Sequence, residues 1–275
     1  MTKIAAIQLC SSDNLNENLK ITQALMETAA KNGAQLIVLP ENFALMDRAS
    51  HDIVKQQEIF GQGKIQKFLS DCAKDFRVWI VGGTIPLRCN NPHKKFASCL
   101  VYDGQGLCVA RYDKIHLFDV TLANHEKHCE SDTTEPGDKV VVIPTPFGKL
   151  GLAVCYDLRF PELFRQLFNL GAEIIVLPAA FTALTGEAHW DILTRARAIE
   201  NFCYFIGAAQ GGTHTNGRKT FGNSLIIEPW GTVISRQAEL KPGVIYANIN
   251  LDYLHKIRKS IPVDQHQKFF LTSTA

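Results

Sequence analysis

Short, continuous runs of apolar residues alternate along the chain with longer segments in which apolar residues recur every three or four positions. The continuous runs predict strands that are buried on both faces, and the periodic segments predict helices that cover them. This alternation indicates an α/β fold. The predicted strands lie at 3–9, 36–39, 78–83, 149–155 and 174–177.

Two helices are predicted in each half of the chain. In the first half, Gly33 is expected to end the first helix. In the second half, the first helix is expected to begin at Pro161 and to end at Gly171. The apolar stripes consist of Ile21, Leu25 and Ala29; Ile65, Leu69 and Cys72; Leu163, Leu167 and Leu170; and Ile192, Ala196 and Ile199.

The chain repeats itself. The stretch NGAQLIVLPENF at 32–43 resembles LGAEIIVLPAAF at 170–181, and three weaker pairs follow in the same order. Two similar halves predict two sheets packed face to face, a four-layer α-β-β-α sandwich with its active centre between the halves at the strand ends. No linker rich in Pro, Gly or Ser separates the halves, so we expect residues 1–275 to form one domain.

Composition excludes several classes of function. The net charge is +2, which gives no electrostatic footprint for nucleic acid, and no apolar stretch is long enough to span a membrane. The first residues lack the pattern of a signal peptide. The eight cysteines form no C-x-x-C pair, which favours free thiols in a reducing compartment such as the cytoplasm. The stretch HEKH at 125–128 is one residue short of a zinc-protease motif.

Three residues could carry chemistry. Cys155 ends a predicted buried strand just before a helix start, where a thiol can face a cleft; the alternative is a small buried hydrophobic residue. Glu41 follows an aliphatic strand and a proline, where partial burial would suit a general base; the alternative is a solvated loop acid. Lys114, between apolar residues, could stabilise an oxyanion or simply lie on a solvated strand edge.

These residues stand in motifs that resemble those of the nitrilase superfamily of carbon–nitrogen hydrolases. The motifs are LPENF at 39–43, YDKIHLFD at 112–119 and GLAVCYDLRFPE at 151–162. The resemblance implies an α-β-β-α sandwich of two similar halves, and chemistry on a small amide substrate that needs no cofactor and no metal.

The same resemblance implies the role of each residue. Glu41 would take the proton of the Cys155 thiol, which would attack the amide carbonyl and form a thioester. Lys114 and the backbone N–H of Tyr156 would hold the oxyanion. Glu41 would then protonate the departing amine or ammonia. A second glutamate, Glu130, would orient Lys114 and the substrate.

Three further stretches resemble the branch of the superfamily that acts on amides of small 2-oxo acids. They are AFTALTGEAHWDILTRARAIEN at 180–201, EPWG at 228–231 and IRKSIPVDQH at 257–266. Deaminated glutathione is the favoured substrate and 2-oxoglutaramate, the substrate of ω-amidases, is the alternative. A 2-oxo acid needs a cationic partner, and Arg195 and Arg197 are the candidates on a helix predicted at 188–202. Arg159 is expected to pair with a carboxylate in a structural role. The loop at 120–129 lacks a Pro-Gly found in relatives, and its role stays open.

The family resemblance also predicts a homo-oligomer, most simply a dimer, to which the C-terminal stretch 252–271 would contribute contacts. Two further functions remain as alternatives. One is hydrolysis of an aliphatic nitrile, and the other is a non-catalytic binding or scaffold role.

Overall fold

Strands and helices alternate along the chain in the computed structural model, which describes residues 1–46, 50–121 and 127–269. The strands are β1 (Thr2–Gln8), β2 (Leu36–Val38), β3 (Trp79–Val81), β4 (Ile85–Arg88), β5 (Lys95–Tyr102), β6 (Cys108–Asp113), β7 (Asp119–Thr121), β8 (Lys127–Cys129), β9 (Thr134–Glu135), β10 (Val142–Thr145), β11 (Gly148–Leu152), β12 (Ile174–Ala179), β13 (Tyr204–Ala209), β14 (Gly211–Thr213), β15 (Lys219–Phe221), β16 (Leu225–Ile227), β17 (Val233–Arg236) and β18 (Gly243–Ile249). The helices are α1 (Leu15–Lys31), α2 (Ser50–Lys55), α3 (Lys64–Phe76), α4 (Pro161–Asn169), α5 (Ala183–Asn201), α6 (Leu251–Ser260) and α7 (Val263–His266), with 3-10 turns at Glu130–Asp132 and Cys155–Arg159.

The two halves form two main sheets with the same core topology. In the first sheet, β1, β2 and β3 are parallel and β5 joins β3 antiparallel. In the second, β11, β12 and β13 are parallel and β16 joins β13 antiparallel. Each sheet gains an antiparallel edge partner beside its first strand, β18 for the first and β10 for the second. The duplication read from the sequence is therefore a duplication of the fold.

Alternate residues of β1 belong to different layers of the core. Ile4 and Ala6 pack with residues of the second sheet, and Ala5 and Ile7 pack with the helices that cover the first sheet. Helices α1 and α3 contact the first sheet, while α5 contacts the second and packs against α4. The order of layers is helix, sheet, sheet, helix, which confirms the predicted four-layer sandwich.

Three of the predicted apolar stripes are wrong in detail. Ile21, Leu170 and Ile192 were expected to be buried and are 38%, 53% and 71% exposed. Helix α5 begins at Ala183, earlier than predicted, and its buried face includes polar residues whose side chains bond to backbone carbonyls. Apolar spacing alone therefore selected the wrong face of this helix. Within the described residues, no helix is both long and apolar enough to cross a bilayer.

Candidate active site

Cys155 lies where the parallel strand β11 ends and the 3-10 turn begins. Its φ is 46°, a left-handed conformation that is rare for a residue with a side chain and is typical of strained functional positions. The residue is buried, and its Sγ accepts a hydrogen bond from the Ala180 N–H at 3.4 Å. The sharp turn thus presents the thiol at the end of the second sheet.

Glu41 holds the corresponding place in the first sheet, after β2 and Pro40. Its carbonyl accepts a hydrogen bond of 3.0 Å from the Gln210 side chain, which ties this loop to the second half. Gly83 packs beneath the loop with φ of 57°, and a Cβ there would lie 2.1 Å from the Pro40 carbonyl oxygen. Only glycine permits this approach, so Gly83 helps to fix the position of Glu41.

Lys114 follows β6 and lies between two carboxylates. Its Nζ is 2.9 Å from Glu41 Oε1 and 3.0 and 2.8 Å from the two oxygens of Glu130. The Lys114 side chain is 2% exposed. Glu130 Oε2 also accepts the Phe118 N–H at 2.7 Å, which fixes the second carboxylate in turn. The structure therefore brings the side chains of Glu41, Lys114 and Glu130 together.

The electrostatics of this cluster keep the thiol neutral and the lysine charged. Burial, and then the Glu41 carboxylate, raises the pKa of the Cys155 thiol well above its ordinary value; a hydrogen bond with Glu41 acts in the same direction. Burial on its own disfavours the Lys114 ammonium, but the charges of Glu130 and Glu41 outweigh it and raise the Lys114 pKa. Burial likewise opposes ionisation of Glu130, and Lys114 reverses this and lowers the Glu130 pKa.

Asp157 connects the lysine segment to the cysteine turn, and the sequence reading missed it. The fully buried carboxylate accepts hydrogen bonds from the Tyr112 hydroxyl at 2.6 Å and the Val154 N–H at 2.8 Å. Its other oxygen accepts from the His116 N–H at 3.1 Å and lies 2.7 Å from His116 Nδ1. Tyr112 and His116 flank Lys114, and Val154 precedes Cys155, so one carboxylate sets the two segments relative to each other.

Glu41, Lys114, Glu130 and Cys155 line one cavity of about 220 Å³. Ala180 and Tyr156 line it beside Cys155, and Phe118 packs edge-on against Tyr156 at 5.1 Å. Among the described residues, five cationic side chains and two carboxylates line the cavity, so positive charge is in excess there. The cations are Lys95, Lys114, Lys127, Arg159 and Arg218, and the carboxylates are Glu41 and Glu130. Among the described residues, no group of three or more His, Cys, Asp or Glu side chains could hold a metal ion.

The two arginines predicted to bind substrate do not line this cavity. Arg195 Nε donates to the Gly231 carbonyl at 2.9 Å, in the turn between β16 and β17. Arg197 is buried and donates twice to the Leu158 carbonyl, at 3.0 and 2.8 Å. The structure does not support the predicted role of either arginine, because neither lines the cavity that holds Glu41, Lys114 and Cys155. Arg197 instead anchors the turn that carries Cys155.

Arg159 also differs from its predicted role. It was expected to pair with a carboxylate, but its guanidinium lies over the rings of Tyr156 and Phe181 at 5.8 and 5.6 Å and 3.3 Å from His189 Nδ1. It lines the cavity together with Arg218, which donates to the Ala180 carbonyl at 2.7 Å. Half of the loop at 120–129, namely 122–126, lies outside the described residues, as do positions 270–271 of the C-terminal stretch.

Comparisons with known proteins identify the family of this chain. The sequence profile of the Carbon-nitrogen hydrolase family matches residues 3–259. A protein from Yersinia enterocolitica named deaminated glutathione amidase is 42% identical over 97% of this chain and 93% of its own length. The human protein of the same name is 39% identical over 96% of this chain and 82% of its own length.

Two solved structures have the same fold along nearly the whole chain. The C. elegans NitFhit protein gives a TM-score of 0.89 at 31% identity over 97% of this chain, which spans 65% of that protein's chain. Saccharomyces cerevisiae Nit3, a member of branch 10 of the nitrilase superfamily, gives 0.86 at 30% identity over 98% of this chain and 97% of its own. The chain belongs to the carbon–nitrogen hydrolase family, within the nitrilase superfamily.

Proposed function

We propose that this protein is an amidase that hydrolyses deaminated glutathione to 2-oxoglutarate and cysteinylglycine through a thioester on Cys155. The observation that carries the proposal is the convergence of Glu41, Lys114 and Cys155 in one positively charged cavity. The curated relatives named for this activity support the choice of substrate, because they align over nearly the whole chain.

The first half-reaction begins from the neutral thiol. As Cys155 Sγ attacks the amide carbonyl, its proton passes to Glu41, the carbon–sulfur bond forms and the carbonyl electrons move onto oxygen. The Lys114 ammonium and the Tyr156 N–H, at the start of the 3-10 turn, hold this oxyanion. Glu41 then gives its proton to the nitrogen, the carbon–nitrogen bond breaks and cysteinylglycine leaves.

The second half-reaction reuses the same base. Glu41 takes a proton from water, and the water oxygen attacks the thioester carbonyl. The carbonyl oxygen becomes a second oxyanion, which Lys114 stabilises. Collapse breaks the carbon–sulfur bond, releases 2-oxoglutarate and returns a proton to Cys155. Lys114 stays charged throughout because the charge of Glu130, which does not take part in the proton transfers, raises its pKa. Glu130 accepts two hydrogen bonds from Lys114 and so keeps its ammonium directed at the reacting carbonyl.

The charge of the cavity favours an anionic amide. Deaminated glutathione carries a carboxylate on the 2-oxo acid and another on the glycine. In place of the predicted Arg195 and Arg197, the cations Arg159 and Arg218 line the cavity wall formed by the second half. They are the groups that we assign to the 2-oxo acid carboxylate, since arginine suits carboxylate recognition.

The test is product formation from two substrates offered in parallel. We expect purified protein to release 2-oxoglutarate from deaminated glutathione with a higher kcat/KM than it releases 2-oxoglutarate and ammonia from 2-oxoglutaramate. Cys155→Ala, checked for an unchanged melting temperature, is expected to lose turnover. Preference for 2-oxoglutaramate would make the protein an ω-amidase, and turnover by Cys155→Ala within tenfold of wild type would refute the thioester mechanism.

Assembly and location form a second part of the proposal. An apolar strip that includes Ile192, Ile199 and Trp230 is exposed on α5 and the neighbouring turn, and we propose that it pairs with a second copy in a homodimer. The eight cysteines are free thiols, which suits a reducing compartment such as the cytoplasm. Sedimentation velocity of wild type and Ile192→Glu tests the dimer, which the substitution should dissociate.

A further inference from the structure

Lys95 is a buried lysine in the cavity wall that the reaction described above does not use. It begins β5, and only 5% of the residue is exposed. It lines the same cavity as Glu41, Lys114 and Cys155. A lysine is almost never buried to this extent unless a partner compensates its charge.

No such partner is bound to it within the described part of the chain. No hydrogen bond or ion pair is formed there by the Lys95 Nζ, in contrast to Lys114, which has two carboxylates within 3.0 Å. Glu130 attracts Lys95 from a distance, but its oxygens are bonded to Lys114 and to the Phe118 N–H. The charges of three further groups also act on Lys95: Lys114 lowers its pKa, and Glu41 and Cys89 raise it.

The neighbouring strand adds a second buried polar group that lacks a hydrogen-bond partner among the described residues. Thr134 of β9 lies beside Lys95 in the parallel pairing of β5 and β9, and it lines the same cavity. Its residue is fully buried, and its Oγ1 has no hydrogen-bond partner among the described residues. Two adjacent donors without acceptors, one of them cationic, suit a ligand that brings negatively charged oxygen atoms.

We propose that Lys95, with Thr134 beside it, forms a subsite that binds a carboxylate of the substrate, separate from the arginines on the opposite half. Arg159 and Arg218 belong to the second half of the chain, and Lys95 belongs to the first, so the cavity carries cations on both of its walls. A substrate with carboxylates at two ends can engage both walls at once. This inference rests on the proposed function and refines it, because deaminated glutathione has two carboxylates and 2-oxoglutaramate has one.

The free protein is consistent with a subsite that is completed by its ligand. Burial lowers the pKa of Lys95, and the positive charge of Lys114 acts in the same direction. A carboxylate brought against the amine would favour the charged form again, so binding should be accompanied by proton uptake when the amine is partly neutral.

The test compares Lys95→Met with wild type on substrates that differ only in their carboxylates. Met keeps the length of the side chain and removes its charge, and Lys95→Arg restores the charge. The matched control is Lys94→Met, because Lys94 is the preceding residue and its Nζ lies 3.9 Å from a Glu135 oxygen instead of in the cavity wall. The substrates are deaminated glutathione, its glycinamide analogue and an analogue in which a methyl group replaces the 2-oxo acid carboxylate.

We expect Lys95→Met to lower kcat/KM for deaminated glutathione by at least tenfold, mainly through KM, and to change it less than threefold for the analogue that lacks the carboxylate bound by Lys95. If Lys95→Met and wild type act equally well on the glycinamide analogue, Lys95 binds the glycine carboxylate, as the assignment of the other carboxylate to Arg159 and Arg218 requires. If they act equally well only on the analogue that lacks the 2-oxo acid carboxylate, the separate subsite is overturned. An equal loss on all three substrates would overturn the proposal, because Lys95 would then act on the Glu130–Lys114 pair. No loss on any of them would also overturn it.

A binding experiment separates this proposal from the proposed reaction. Glutarate, a simple dicarboxylate, should slow iodoacetamide labelling of Cys155 in wild type and in Lys94→Met, and at least tenfold higher glutarate should be needed in Lys95→Met. This protection requires no turnover. If wild type does not hydrolyse deaminated glutathione, the proposed function fails, whereas equal protection in wild type and Lys95→Met rejects the carboxylate subsite alone.

Discussion

Replacement of Asp157 by asparagine tests how the fold holds the lysine and the cysteine in register. Asp157 Oδ2 accepts two hydrogen bonds, from the Tyr112 hydroxyl and the Val154 N–H, and Oδ1 faces the backbone N–H and ring Nδ1 of His116. An asparagine side chain has one oxygen and one amide NH₂ group. With the amide nitrogen in place of Oδ2, the Tyr112 hydroxyl and the Val154 N–H face a donor. With the nitrogen in place of Oδ1, the His116 backbone N–H faces a donor, while the His116 ring can change tautomer and accept. At least one backbone N–H therefore loses its acceptor.

The expected loss of stability follows from these contacts. A donor left without an acceptor costs about 1–3 kcal/mol, so Asp157→Asn in its less costly orientation should lower the free energy of unfolding by roughly 1–3 kcal/mol. For a chain of this length, about 2 °C of melting temperature corresponds to each kcal/mol, which gives a decrease of roughly 2–6 °C. Burial, together with the charge of Asp157, raises the pKa of Tyr112, so this hydroxyl stays a donor at all accessible pH values.

Activity should fall further than stability alone would explain, because Lys114 and Cys155 lose their common anchor. A misplacement near 1 Å costs roughly 100-fold in rate, and the decrease should appear in kcat. The assay is thermal unfolding by circular dichroism together with 2-oxoglutarate formation well below the melting transition. Asp191→Asn is the control, because Asp191 pairs with Arg236 at 2.8 Å on the surface and its side chain is 53% exposed. A melting temperature within 1 °C of wild type and an unchanged kcat for Asp157→Asn would refute this reasoning.

Three further substitutions test other parts of the site. Glu41→Gln removes the negative charge that raises the pKa of Cys155, so the pH midpoint of iodoacetamide labelling should move down while turnover is lost; an unmoved midpoint would contradict the assignment of that shift. Glu130→Gln removes the charge-assisted hydrogen bonds to Lys114. Because such bonds contribute about 1.5–3 kcal/mol, kcat/KM should fall by about 10–100-fold. The control Glu135→Gln, at a half-exposed position, should change kcat/KM less than twofold. Gly83→Ala places a Cβ 2.1 Å from a backbone oxygen and should lower both melting temperature and kcat; normal values for both would show that the Glu41 loop does not need this glycine.

The sequence could predict those features that depend on local pattern. The aliphatic runs define the strands, and their repetition predicts the duplicated sandwich. Cys155 and Glu41 were found because each follows directly on a buried strand, which is where parallel sheets expose functional groups. Lys114 was a candidate because it lies between apolar residues, and the family resemblance then added Glu130, which meets it across 16 residues.

What the sequence could not predict depends on contacts between distant segments. Asp157 looks like a loop acid until Tyr112, 45 residues away, is seen to donate to it. Arg197 looks like a free cation on a helix, yet the carbonyl of Leu158 uses two of its nitrogens. Lys95 lies in an ordinary polar stretch, and only the fold buries it in the cavity wall. Burial and partner choice for long polar side chains are tertiary properties, and apolar periodicity does not report them.

The most direct test of the central claim is to trap the acyl group on Cys155. Wild type and Cys155→Ala are mixed with deaminated glutathione, quenched in acid during turnover, digested and analysed by mass spectrometry, and a parallel sample contains hydroxylamine. We expect a 2-oxoglutaryl group on the peptide that contains Cys155, its conversion to the hydroxamate by hydroxylamine, and neither species in Cys155→Ala. Product formation without an acyl peptide or a hydroxamate, together with turnover by Cys155→Ala, would contradict the account.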